Sequence, residues 1–297
     1  MNDHIEQPAF LTTKEVAELL RIKERKLYDL VSAQEIPCVK ATGKLLFPRA
    51  ELLHWIHTGE LLRGEPTHTN RPAVVCGSHE PLLEWAIGES GCGLATQFNG
   101  SLNGLDSFEN QLGMATGLHV INDNSPGWNT ELVQARFKRG NVVLVQWATR
   151  QQGLVVAKHN PKRIQTLKDL VNCKVAIRQH GAGGMILFQQ LLKEAGLTPE
   201  DLQVTQVCRT ESDSIAAVAS GQADAAPGLQ ALAQQFGLGF VPTRQERFDL
   251  LVCRKAWFDA PMQNLLAFTR GATFQTKAAQ FAGYDTTGLG QVVWNAN

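Results

Sequence analysis

Residues 175–185 read VAIRQHGAGGM. The apolar run Val175, Ala176, Ile177 enters a loop holding Gly181, Gly183 and Gly184, and the amphipathic segment ILFQQLLKEAG follows. A strand, a glycine turn and a helix in that order form the unit of an α/β fold. Such a turn also presents free N–H groups and the positive end of a helix dipole, a setting that draws anions. The spacing rules out a nucleotide loop. A dinucleotide fingerprint needs glycines at offsets 0, 2 and 5; Gly181 and Gly183 fit, but position 186 is isoleucine. The G-x-x-x-x-G-K-[ST] phosphate loop is missing from this segment, and neither H-E-x-x-H nor G-x-S-x-G occurs in the chain. No catalytic residue, metal ligand or cofactor is assigned.

Working outward, 166–171 reads as a short helix, 174–177 as a strand and 185–195 as a helix. A strand over 203–208, a helix through SIAAVASGQADAAPG with its exit, and a helix at ALAQQFG come next. The segment FVPTRQERFDLLVCRKAW returns as a strand. Upstream, strands are expected at 73–76, 114–121 (with His119 inside), 141–147 and 153–157. The alternation predicts an α/β domain over residues 73–297. The chain leaves a first lobe near 152–161 and returns near 246–255. This gives lobe 1 as about 73–155 and 246–297, and lobe 2 as about 156–245, with a hinge and a cleft between them.

The first sixty residues follow another plan. Thr12 and Glu15 form a capping-box pattern, and Val16, Ala17, Leu19 and Leu20 give an apolar helical face. A second helix, Lys23 to about Ala33, buries Leu27, Leu30 and Val31 and shows Lys23, Arg25, Lys26 and Tyr28. Two β-prone runs flank Thr42–Gly43, with Lys40 and Lys44 near the tip. Pro48 opens a third helix, with Leu52, Leu53, Trp55 and Ile56 expected to face inward. Residues 1–58 form this unit, and the polar stretch 59–72 reads as a linker.

The bulk numbers fit a two-domain globular chain. Its 297 residues are 43% hydrophobic and 19% charged, with formal net charge +0, so a nucleic-acid partner must be met by a local patch. The N-terminus lacks the pattern of a signal peptide, and no apolar run is long enough to span a bilayer, so a cytoplasmic protein is expected. The six scattered cysteines form no C-x-x-C pair and no zinc spacing; they read as buried thiols, with Cys92 the one to test for reactivity.

Residues 10–57 resemble the excisionase-type helix-turn-helix family, relatives of the winged MerR-like DNA-binding domains. The marks are TTKEVAELL, KERKLYDL, the wing IPCVKATGKLLFP and the helix RAELLHWI. The resemblance implies that Lys23, Arg25, Lys26 and Tyr28 meet the groove or phosphates of double-stranded DNA, and that Lys40 and Lys44 are wing phosphate contacts. Lys23 stands where the family often places a serine-type cap. A near-neutral unit implies modest affinity per copy, hence a homodimer on a two-fold site.

Residues 73–295 resemble the periplasmic-binding-protein-like domains fused behind helix-turn-helix units, within the molybdate- and oxyanion-binding type II group. The marks include VCGSHEPLLEWA, GSLNGL, AIRQHGAGGM, SGQADA and ERFDLLV. The resemblance implies a bacterial transcriptional regulator with a small ligand between two lobes. It places Ser78, His79, Ser101 and Asn103 on the first lobe's loops, and Arg178, Gln179, Gly181, Ala182 and Gly183 on the second. Glu211 and Ser212 open a further helix at the cleft, Asp224 and Pro227 lie on the ADAAPG exit, and His119 is a candidate from its strand. Relatives commonly carry N-R-Q-x-G-S-G-T-R in the opening loop, whereas this chain has Ala182, Gly184 and Met185 at the serine, threonine and arginine places. The resemblance implies an oxyanion effector such as molybdate or tungstate; the lost hydroxyls and cation weaken that case and leave a small organic anion or metabolite lying against Met185 as the alternative. A DNA-binding architectural protein with a non-sensing scaffold is the reading of another class.

Overall fold

The computed structural model describes residues 8–33, 35–41, 43–58, 71–122, 127–138 and 140–296. The chain divides into two compact units, Met1–Asn70 and Arg71–Asn297. Thr42 of the expected hairpin turn and residues 59–70 of the expected linker lie outside the described residues. Among the described residues no helix is long and apolar enough to cross a membrane.

The first unit runs β1 (Phe10–Thr12), α1 (Thr13–Leu20), α2 (Glu24–Ser32), β2 (Val39–Ala41), β3 (Lys44–Pro48) and α3 (Arg49–Thr58). Thr12 caps α1: its hydroxyl accepts from the Glu15 N–H at 3.4 Å, and the Glu15 carboxylate accepts from the Thr12 N–H at 2.7 Å. Arg21 then takes a left-handed conformation (φ 54°), and the Ile22 N–H reaches back to the Ala17 carbonyl at 3.0 Å. This closes α1 and starts the turn into α2. The three strands form an antiparallel sheet in the order β1-β3-β2. Leu11, Val16, Ala17, Leu27, Ile36, Phe47 and Leu52 fill the core. Leu19, Leu53 and Ile56 are exposed, contrary to the expected inward faces. Leu19 falls about 200° round the helix from Ala17, and Leu53 and Ile56 each lie one position past the inward pair Leu52 and Trp55.

The second unit begins with β4 (Val74–Gly77), α4 (Pro81–Ser90), β5 (Ala95–Phe98), α5 (Ser101–Glu109), β6 (Ala115–Leu118), α6 (Thr130–Phe137) and β7 (Val142–Val156). It continues through β8 (Lys174–Arg178), α7 (Gly183–Glu194), β9 (Gln203–Cys208), α8 (Glu211–Ala219), β10 (Ala225–Leu229), α9 (Gln230–Gln235) and β11 (Gly239–Cys253). It ends with α10 (Arg254–Trp257), α11 (Ala260–Thr269), α12 (Ala272–Ala278), β12 (Tyr284–Asp285) and β13 (Val292–Asn295).

One sheet runs β5-β4-β6-β11-β7-β10-β8-β9, with β12 and β13 also on β7. The strands expected at 141–147 and 153–157 are one: β7 is 15 residues long, about 50 Å at an extended rise. β11 matches it, antiparallel, from Gly239↔Val156 to Cys253↔Val142. The polar run between the two expected strands concealed their continuity; the structure buries Arg150 and Gln152 inside it. The AAPGL segment, expected as a helix exit, is β10, and His119 lies just past β6.

β7 and β11 therefore carry two halves. β4, β5 and β6 join one end, where Trp147, Phe248 and Phe274 lie in an apolar core. β8, β9 and β10 join the other, where Met185, Phe188 and Leu192 do. Register shifts interrupt β11 between Pro242 and Arg244 and between Phe248 and Asp249, bracketing the passage from one half to the other. Cys92 is buried in the first core, which removes the access a reactive thiol needs.

α5 sits hard against β4. A Cβ on Gly104 would lie 2.1 Å from the Gly77 Cα, and Gly77 itself has φ 103° with the Gly117 carbonyl oxygen 2.2 Å from where its own Cβ would be. Gly104→Ala is expected to lower the unfolding free energy by about 1–3 kcal/mol, since neither backbone can give way. Urea titration of the full chain measures this; an unchanged midpoint would show that α5 does not rest on β4.

Candidate ligand cleft and DNA-facing surface

On the first unit, Lys23, Arg25, Lys26 and Tyr28 are all exposed along the start of α2. Lys23 precedes the helix in an extended conformation and makes no side-chain cap, leaving its ammonium free of the helix end. Lys40 and Lys44 are exposed on the β2–β3 hairpin, opposite Leu45 and Ala41 respectively. Five cations and a tyrosine thus gather at the start of one helix and on one hairpin.

On the second unit, a buried polar cluster lies where β7 and β11 cross between halves. Arg150 and Glu246 face each other across the ladder, both about 1% exposed, with the Arg150 Nη2 donating to Glu246 Oε1. Glu246 also accepts from Gln152 Nε2 at 3.1 Å, and its other oxygen is 2.7 Å from His119 Nδ1. Burial drives the Glu246 carboxyl up, but Arg150, His119 and Gln152 outweigh it and hold the group at about 2. Burial likewise opposes the Arg150 charge, and Glu246, Tyr284 and Glu80 more than restore it. Arg150 lies 4.6 Å over the Phe248 ring, and its Nη1 is 3.7 Å from Glu80 Oε1. Glu80 caps α4 through the Leu83 N–H and accepts from Trp147 Nε1 at 2.7 Å and the Tyr284 hydroxyl at 2.5 Å.

A polar cavity of about 20 Å³ opens beside this cluster. Ser78, His79 and His119 line it from the first half, Gln152 from β7, and Arg178, Ala182, Gly183, Gly184, Glu211 and Pro227 from the second. That is room for about one water. The glycine loop makes it so small. A Cβ on Gly183 would lie 2.7 Å from His119 Nε2 and 2.8 Å from the His119 carbonyl oxygen. Only a hydrogen at position 183 lets the start of α7 lie against the opposite half. A groove of about 630 Å³ beside Trp85, Lys277 and Phe281 is far larger, but its wall lacks the Arg178 and Glu211 charges that converge on the small cavity.

Eight of the expected ligand residues meet there: Ser78, His79, His119, Arg178, Ala182, Gly183, Glu211 and Pro227. Ser101 stands one bond behind, its hydroxyl 2.7 Å from that of Ser78. The others do not line the cavity. Asn103 is exposed and turns back to the Asn99 carbonyl at 3.1 Å. Gln179 lies alongside the Arg178 Nε at 3.5 Å, and Gly181 packs against Gly100. Ser212 faces the larger groove. Asp224 accepts from the Lys174 N–H at 2.8 Å, at the start of β8, whereas Arg178 ends that strand at the cavity. Met185 is buried in the second apolar core and offers no surface to a ligand. Gln152 was not foreseen; its sign is a polar residue repeating at period two with Arg150 in an apolar strand.

The sequence profile of the PBP superfamily domain matches residues 84–270, and that of a helix-turn-helix domain matches residues 10–59. The chain belongs to the PBP superfamily domain family. Its first unit is of a kind that binds DNA, and its second of a kind that binds small ligands. The chain is 25% identical to the uncharacterized protein YvgK of Bacillus subtilis (strain 168), over 95% of this chain and 97% of that one. Among solved structures it is similar to a phosphate ABC-transporter substrate-binding protein from Clostridium perfringens with bound phosphate. That likeness has TM-score 0.53 and 14% identity, over 70% of this chain and 97% of that one. The effector-binding domain of QuiR in complex with shikimate is more distant, at TM-score 0.44 and 10% identity over 66% and 92%. The likeness to the phosphate-binding protein is one of fold alone.

Glu246→Gln is expected to cost about 3–5 kcal/mol at neutral pH, because Arg150 remains buried without its partner. Glu246 is held at about 2, below the ordinary carboxylate value of 4.5. Its stabilisation is therefore full above about 4.5 and is lost as pH falls towards about 2. Denaturant titrations at pH 7 and pH 3 should show the difference between variant and wild type narrowing on the acid side; a constant difference would refute the assignment.

Proposed function

We propose that this protein is a DNA-binding regulator whose second unit senses a small ligand in the cavity between the two halves of its sheet. The observation that carries this reading is the convergence of Ser78 and His119 from one half, and Arg178, Gly183 and Glu211 from the other, on one buried polar space. The main ladder joining the halves is β7 with β11, which shifts register on either side of the passage. A ligand that touches both halves binds some separations better than others, and that difference in affinity is what biases the equilibrium. In this reading Lys23, Arg25, Lys26, Tyr28, Lys40 and Lys44 face DNA, two copies share a two-fold site, and the protein works in the cytoplasm where that DNA is.

The oxyanion reading, molybdate or tungstate, finds support in the N–H groups at the start of α7 and in the Ser78 hydroxyl. The wall weighs against it. Glu211 is a buried carboxylate on that wall, and a fully ionised oxyanion has no proton to offer it. The organic-ligand alternative accommodates Glu211, although Met185 takes no part. A non-sensing scaffold has no use for a buried carboxylate held by a single backbone N–H, which would cost stability without return.

Fluorescence anisotropy on the DNA upstream of the protein's own coding sequence tests the regulator reading. Wild type should bind with strong salt dependence. Arg25→Ala with Lys26→Ala should weaken binding at least tenfold and lower the log–log salt slope by about 1–2, roughly one per lost phosphate contact. Binding that ignores both salt and these substitutions would overturn it.

A further inference from the structure

The walls of the cavity carry opposite charges that are not paired with each other. Glu211, 8% exposed, opens α8. One of its oxygens accepts from the Leu229 N–H at 2.7 Å; the other has no hydrogen-bond partner among the described residues. Arg178 anchors one side of its guanidinium, its Nη2 donating to the Arg209 carbonyl at 2.9 Å. No hydrogen bond is made by its Nη1 among the described residues, and no ion pair joins it to Glu211. Burial pulls the Arg178 guanidinium down from its ordinary value, and Glu211 is the foremost charge opposing that fall. The two charges feel each other yet form no ion pair, and both residues line the same small space.

The two helix starts differ in the same sense. α7 opens with Gly183 and Gly184, has no acidic residue in its first turn, and presents both N–H groups without an acceptor among the described residues. α8 opens with Glu211 and Asp213, so its positive end is answered by its own carboxylates. One wall, Arg178 with the α7 start, suits an anion. The other, Glu211, suits a cation. Behind them the buried groups are Glu80, Glu246 and Arg150, so the surroundings already hold more carboxylates than guanidiniums.

Resting on the sensor reading above, we infer that the ligand is a small zwitterion, with an ammonium group on Glu211 and a carboxylate on Arg178 and the Gly183–Gly184 N–H groups. A zwitterion pairs both charges without adding to either, whereas a doubly charged oxyanion pairs one and repels the other. As it stands the cavity admits about one water, so the halves must part to take the ligand, and the narrow space between them keeps its ammonium and carboxylate only a few bonds apart, as in the short-chain amino acids.

Isothermal titration of the full chain tests this, with glycine, L-alanine, L-serine and β-alanine as probes. Acetate and methylammonium serve as the two halves of the ligand, and sodium molybdate and sodium sulfate as oxyanions. At least one zwitterion should saturate the protein, while either half alone binds at least a hundredfold more weakly and the oxyanions do not bind. Glu211→Gln keeps an oxygen for the Leu229 N–H, so the fold should hold by circular dichroism and thermal melt while zwitterion affinity falls at least tenfold. Arg178→Met should lose it likewise. Saturation by molybdate, sulfate or acetate, unchanged affinity in Glu211→Gln, or no binding of any zwitterion would each overturn the inference. A protein that binds its upstream DNA and answers to some other compound keeps the regulator reading and loses this one.

Discussion

The pairing of Arg150 with Glu246 is the constraint on which the second unit turns. Two charges have been taken out of water at the point where β7 and β11 leave one half of the sheet for the other. Desolvating them is expensive, and a well-packed apolar pair would serve stability as well or better. What the ions supply is register and direction. Glu246 also binds His119 and Gln152, and Arg150 reaches towards Glu80, which caps α4 and holds Trp147 and Tyr284. A slip of one residue in the β7–β11 ladder would turn every one of these groups to the wrong face. The network thus ties the crossing strands, the α4 start and the wall of the cavity to a single alignment.

Close backbone approach does the remaining positioning, and it does so by omitting side chains. Gly104 and Gly77 let α5 settle on β4, which brings the Ser101 hydroxyl to Ser78. Gly183 lets the start of α7 reach His119, whose other ring nitrogen is held by Glu246. The cavity therefore lies between a wall fixed by charge and a wall admitted by glycine. Its volume is a consequence of both, and any change in the separation of the halves must be taken up by β7 and β11.

Periodicity and turn chemistry made the architecture legible. The strand–glycine–helix order around VAIRQHGAGGM, and the capping box followed by a cationic second helix, lead to the observed elements. Two readings failed for a shared reason. The polar run around Arg150 and Gln152 fell between two expected strands because polar residues in a strand interior look exposed, and AAPGL read as a helix exit because of its proline and glycine. Burial of the first and pairing of the second are decided by contacts far apart in sequence: Glu246 for Arg150, and β7 for β10. Site residues followed the same rule. Those at strand ends and helix starts, such as Ser78, Arg178 and Glu211, line the cavity because the α/β pattern gathers such positions at one edge. Asp224 was misplaced because its helix exit was in fact a strand start, which put it at the far end of β8.

The opening loop changes meaning once its surroundings are known. In sequence, Ala182, Gly184 and Met185 read as lost donors for an oxyanion. In the fold, Met185 is core, Gly183 and Gly184 line the cavity, and their N–H groups meet no acceptor among the described residues. Fewer fixed donors on this wall and a carboxylate on the opposite one shift the balance in the same direction. A site built for a dianion gathers donors and keeps acids away, because each buried carboxylate near the ligand must be repaid by another cation. Here Glu211 stands on the wall, and the guanidinium that shares that wall space, Arg178, makes no ion pair among the described residues. The arrangement is stable as it stands only because each charge retains some contact with backbone. It becomes fully paired when one occupant carries both signs.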